Sequence, residues 1–151
     1  MRDRPARGNE RDLVLEARPS AVFDFEDFAE SLDFLPPLER GRLKVAGSEI
    51  LDNIVKHASP LEGGALRVRA ALRGPAVLLS FYFRSPNFAA FAEGDWAAAA
   101  SEPLFDPAHR RWRGIGLVMC RNLARKVCFR PGSSLDRIFL EFDRVDAAPN
   151  P

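Results

Sequence analysis

Glu49, Asn53, Lys56 and His57 fall in one short stretch, Gly47-Ser-Glu-Ile-Leu-Asp-Asn-Ile-Val-Lys-His-Ala58, with the spacing Glu-x-x-x-Asn-x-x-Lys-His. At about 100° per residue, positions 49, 53 and 57 form one narrow stripe of a helix, each a turn above the last. A carboxylate, a carboxamide and an imidazole are thereby stacked beside an apolar stripe of Leu43, Ala46, Ile50 and Ile54. Simple burial does not ask for such a column, since each polar group there needs a partner. A carboxylate can activate a hydroxyl or a water, and an amide oxygen can hold a hard cation such as Mg²⁺. The competing reading makes Asn53 and His57 boundary residues of a core helix, because short motifs recur by chance.

A second segment bears on that choice. Arg111-Trp-Arg-Gly-Ile-Gly-Leu-Val-Met-Cys-Arg-Asn-Leu-Ala-Arg125 has the pattern of a glycine-rich turn opening an amphipathic helix. Gly114 and Gly116 remove two side chains where that helix begins, which bares backbone N–H groups at the positive end of its dipole. An anion such as a phosphate suits that place. Alone, Gly-x-Gly is equally a flexible loop before a helix.

In this order and at this distance the two segments resemble the GHKL ATPases, which share the Bergerat nucleotide-binding fold. Within them the chain is most similar to the small anti-sigma-factor serine/threonine kinases of bacterial partner switching. The resemblance runs from about Leu13 to Asp143. It implies ATP and Mg²⁺ as cofactors, with Glu49 as general base, Asn53 as the Mg²⁺ ligand and Lys56-His57 as the basic pair beside the nucleotide. Gly114, Ile115, Gly116 and Leu117 match the family's later glycine box. The resemblance also implies protein partners, a sigma factor or its antagonist, and a possible homodimer. One family element is absent. Where the family ends a strand with an Asp-x-Gly-x-Gly turn that binds adenine, this chain has Arg84-Ser-Pro-Asn-Phe88. Pro86 fixes φ there and removes a donor, and Ser85 or Asn87 is left as a neutral acceptor for the base, weaker than a carboxylate.

The elements that must position these residues follow from periodicity. Leu13–Arg18 alternates as a strand, and Val22–Leu35, rich in Phe (23, 25, 28 and 34), reads as a helix that Pro36-Pro37 ends. Those phenylalanines suit a core or a dimer surface. Leu38–Ala58 is the long helix of the Glu49–His57 column. Ala65–Leu72 and Ala76–Phe83 are strands joined by the hairpin signature Arg73-Gly-Pro75. Residues 85–113 form a long irregular connection with a short helix around 88–100, suited to a lid. Its basic, aromatic stretch His109-Arg-Arg-Trp-Arg113 suits phosphates, an acidic partner or solvent. Gly116–Arg125 is a helix, and Val127–Arg130 and Arg137–Phe142 are the last strands. The expectation is an α/β two-layer sandwich: a mainly antiparallel, mixed sheet with helices on one face. Residues 1–11 read as a mobile arm, 12–143 as the domain with its lid at about 85–113, and 144–151 as a mobile tail.

Composition narrows the function classes. The 151 residues suffice for one core and leave little for a second. A phosphoacceptor histidine kinase would need an additional dimerisation helix pair, for which there is no room. The formal charge of +1 argues against a strongly electrostatic nucleic-acid partner. No apolar run approaches the roughly 20 residues of a membrane span, and the charged N-terminus lacks the apolar centre of a signal peptide. Cys120 and Cys128 have neither metal-ligand spacing nor a secreted framework, so they read as free thiols in a reducing cytoplasm. Two functions remain: an ATP-dependent protein kinase that regulates a sigma factor, and a degenerate GHKL-fold module that binds a protein partner without phosphoryl transfer.

Overall fold

Alternating burial along the central strands sets the architecture. Val77, Leu79, Phe81 and Phe83 point one way from their strand and are almost wholly buried, while Leu78 and Tyr82 between them point the other way and are half-buried. A computed structural model describes residues 8–58, 65–93, 104–107, 111–113 and 115–145. In chain order they form β1 (Glu10–Glu16), α1 (Ala21–Glu30), α2 (Pro37–His57), β2 (Ala65–Arg73), β3 (Ala76–Phe83) and α3 (Phe88–Glu93). There follow β4 (Leu104–Asp106), β5 (Arg111–Arg113), α4 (Ile115–Leu123), β6 (Lys126–Arg130) and β7 (Asp136–Asp143).

Five strands make one sheet in the order β1-β2-β3-β7-β6, and every pairing is antiparallel. The expected mixed sheet is therefore corrected: no parallel pair joins these five strands. The α/β class and the helices on one face hold. Leu66, Val68, Leu79, Phe81, Ile138, Leu140 and Phe142 from the strands share a core with Phe25, Leu43, Ala46, Ile50 and Ile54 from α1 and α2. From α3, Phe88 meets Phe83 edge-on at 5.8 Å between centroids, and Phe91 meets Phe129 at 6.0 Å, so α3 lies on the same face. Burying such side chains contributes about 1.5–3 kcal/mol each, and their number makes this layer the main source of stability.

Two glycines are dictated by this geometry. A Cβ on Gly47 would lie inside contact distance of the Phe25 ring and 2.8 Å from Leu79 Cδ2, so α2 rests on the sheet through a bare backbone. Gly74, at φ 56°, turns the two-residue link between β2 and β3, where Arg73 pairs with Ala76. A positive φ at the first turn residue matches the twist of the strands it joins.

Element boundaries depart from expectation in four places. β1 starts at Glu10, inside the expected arm, because Glu10 and Asp12 find Arg73 and Arg69 on β2. α1 stops at Glu30: the Ser31 hydroxyl donates back to Phe28 O at 2.6 Å, and Leu32 and Leu35 are buried from a turn rather than from a longer helix. Two three-residue strands, β4 and β5, pair within the expected irregular lid. Arg144 N–H donates to Pro75 O at 2.8 Å and Val145 N–H to the buried Glu39 carboxylate at 2.7 Å, so the first two residues of the expected tail are tied to the domain. Residues 1–7, 59–64, 94–103, 108–110, 114 and 146–151 lie outside the described residues, and with them His109, Gly114 and much of the expected arm, lid and tail.

Candidate functional site

α2 starts at Pro37, where the missing N–H costs nothing, and runs for 21 residues without another proline. Its length carries the Glu49–His57 column from the middle of the sheet to the far end. Asn53 Nδ2 donates to the Glu49 backbone carbonyl at 2.7 Å, one turn back on the same helix. That bond fixes the carboxamide plane, and Asn53 Oδ1 accepts nothing among the described residues. Glu49 is half-buried and has no cation within ion-pair distance there. Loss of water around the carboxyl, followed by repulsion from Asp52, holds it above the usual glutamate range, with Lys56 pulling the other way.

α4 packs alongside this part of α2. The buried Cys120 thiol sits 3.3 Å from the Ala46 carbonyl, to which it donates. Burial, and secondarily the Glu49 charge, push that thiol up to about 12, so it stays protonated and serves as core. The helix that begins with Ile115, Gly116 and Leu117 is thereby laid next to the face that carries Glu49. Gly114 itself lies outside the described residues. Lys56 is exposed and paired with Asp52 at 2.7 Å, one stripe away from the Glu49–Asn53 pair. His57 is exposed at the last residue of α2.

The turn after β3 has a different role from the one expected of it. Ser85 is buried; its hydroxyl bonds to the Ala58 carbonyl and lies 2.6 Å from Asn87 Oδ1. Asn87 Nδ2 donates to the His57 carbonyl at 3.2 Å. Ser85 N–H donates to Asp136 Oδ2 at 3.1 Å, and Gly132 N–H to the other oxygen at 3.3 Å. The expected neutral acceptors for adenine are thus spent on closing the C-terminus of α2, whose last carbonyls have no helical partner. This network was not foreseen: Asp136 ends a Gly-Ser-Ser-Leu turn, and a turn aspartate in a sequence signals only local capping.

Chemically, the arrangement offers a poised carboxylate and an oriented amide oxygen. A carboxyl held above its usual range is a stronger base once ionised, which suits proton abstraction from a hydroxyl. Asn53 Oδ1, held by the bond that its own nitrogen makes, fits a hard cation that takes its remaining ligands from phosphates and water. Among the described residues no cluster of three or more His, Cys, Asp or Glu side chains forms a metal site, so any cation here would depend on a ligand that brings its own oxygens. No helix in the described residues is long and apolar enough to cross a membrane. No family model matches the chain, and no curated protein proved similar to it.

Proposed function

We propose that this protein is an ATP-binding regulator of the Bergerat type, similar to the anti-sigma-factor serine/threonine kinases, acting on a sigma factor or its antagonist. The observation that carries the proposal is the meeting of Glu49 and Asn53 on the flank of α2 that α4, the helix of the glycine box, packs against. In this reading Glu49 takes the proton of the acceptor hydroxyl. Asn53 holds Mg²⁺, which neutralises phosphate charge when bound, and the backbone around Gly114–Leu117 receives the phosphates. Ser85 and Asn87, consumed in capping α2, leave adenine without a charged acceptor, so nucleotide binding is weak and tolerant of the base.

Calorimetric titration with ATP and GTP, with and without Mg²⁺, tests the proposal. Mg²⁺-dependent binding that Asn53→Ala weakens by about tenfold or more is expected, with Glu49→Ala leaving affinity within about twofold while stopping ATP turnover. Heat signals that ignore Mg²⁺ and both substitutions would sink it. The second reading, a partner-binding module without phosphoryl transfer, is favoured by the Ser85–Asn87–Asp136 network. It gains if nucleotide binds but wild type and Glu49→Ala turn over ATP at the same background rate.

A further inference from the structure

The sheet has a second face that no helix among the described residues covers, and its charges are sorted. On the β1–β2 side three cations have a carboxylate: Arg69 with Asp12 at 2.7 Å, Arg73 with Glu10, and Arg18 with Glu16 at 3.4 Å. The Arg69 guanidinium holds the Asp12 carboxyl below the usual carboxylate range. At the opposite edge Arg125 takes both Glu141 and Asp143. One row across four strands, from β2 to the edge strand β6, reads Arg67, Tyr82, Arg137, Arg130 as direct partners. None of its three arginines has an ion-pair partner among the described residues, and neither has Lys126. Arg130 stands directly opposite Arg137, an arrangement that repels.

The rings are interleaved with these cations. Arg137 lies 4.7 Å from the Phe139 centroid and 5.4 Å from that of Tyr82, while Lys126 and Arg130 lie 5.8 Å from Phe139. Arg137 donates to Ser80 Oγ at 3.1 Å, but its Nε is buried with no acceptor among the described residues. A half-desolvated guanidinium facing Arg130, with Lys126 sharing the same Phe139 ring, is unfavourable by itself. An anion arriving at the exposed Arg130 and Lys126 would offset that charge.

We propose that the helix-free sheet face, where Arg67, Lys126, Arg130 and Arg137 surround Tyr82 and Phe139, docks single-stranded nucleic acid. The charge of +1 for the whole chain conceals the patch, whose one facing carboxylate, Glu141 directly opposite Lys126, is engaged by Arg125. A second copy of the chain meeting itself here would bring like charges together. An acidic polypeptide would use the cations and leave the rings idle. A single strand uses both: phosphates on the arginines, and bases stacked on ring or guanidinium planes. The row spans three strand spacings, about 14 Å, so the footprint is short. This surface is independent of the Glu49–Asn53 site.

Fluorescence anisotropy of labelled oligo(dT) and oligo(U) of about 12 nucleotides tests the proposal. Binding should fall steeply as salt rises from about 50 to 200 mM. Arg67 and Arg130 are exposed, so Arg67→Glu/Arg130→Glu should keep the wild-type melting temperature while weakening binding by at least about tenfold. Phe139→Leu, which keeps an apolar side chain and removes the ring, should lose about fivefold or more for oligonucleotide and nothing for poly-L-glutamate. Asn53→Ala should bind oligonucleotide as wild type does, which separates this surface from the nucleotide site. No binding at the lower salt, or equal binding by the double variant, overturns the proposal. Poly-L-glutamate competing as well as oligonucleotide would assign the face to an acidic polypeptide. A dimer that the double variant dissociates would assign it to a second copy.

Discussion

Two polar clusters lie along α2, and they resolve in opposite ways. At the helix end, Ser85, Asn87 and Asp136 are drawn into bonds with backbone groups of α2, of the turn after β3 and of the turn before β7. At mid-helix, Glu49 and Asn53 share one bond, between a side-chain amide and a backbone carbonyl, and the carboxylate and Oδ1 take no part in it. The residue types are much alike, a carboxylate and amides or hydroxyls. The difference lies in what each group still has to give. A polar group whose bonds are complete holds the fold together, whereas one with capacity left over and partial access to water is available to a ligand.

The largest effect should come from the completed cluster. Asp136→Ala strands two backbone N–H groups, and urea unfolding should show a loss of about 2–4 kcal/mol. Ser85→Ala removes one hydroxyl from the end of α2 and should cost about 1–2 kcal/mol in the same assay, with nucleotide affinity unchanged. Altered base selectivity in Ser85→Ala would break the comparison, because Ser85 would then belong to both clusters. The smallest effect concerns Glu49. Its folded-state carboxyl is raised, so the native chain holds that proton more tightly than the unfolded chain. The stability this supplies is present below the ordinary glutamate range and is lost as pH rises through the raised value. Glu49→Gln should therefore melt slightly higher than wild type at about pH 7, with the gap closing by about pH 3.5. Paired thermal scans at the two values check this, and a lower melting temperature at neutral pH would mean that the carboxylate has a stabilising partner.

The regular parts of the fold were legible wherever enough residues carry a period. β2, β3 and α2 each offer several turns or alternations, and their ends fall within a residue of expectation. β4 and β5 have three residues each, too few to alternate visibly. The extra turn expected of α1 followed a genuine apolar spacing, Phe28, Leu32, Leu35, which the chain buries without staying helical. Glu49 and Asn53 lie one turn apart on α2 as their spacing predicts, because a helical column needs only local spacing. The partners of Asp136 and Glu39 come from distant segments, Ser85 and Val145, and no local pattern encodes such a meeting. The row from Arg67 to Arg130 was hidden for the same reason: it exists only once four strands are in register.

Strand order also imposes a timetable on synthesis and folding. β2 with β3, and β6 with β7, are ribbons closed by short turns, which form in about 1–10 μs. The seam between them, from Ala76↔Asp143 to Phe83↔Asp136, waits for the closure of everything from α3 to β6, a long loop with a larger entropic cost. A chain leaving the ribosome completes β3 well before the strand that pairs with its open edge exists. Until β7 emerges, Phe81 and Phe83 have only the helices made before it to shelter them, and the unpaired rim of β3 is the nascent chain's point of exposure to aggregation.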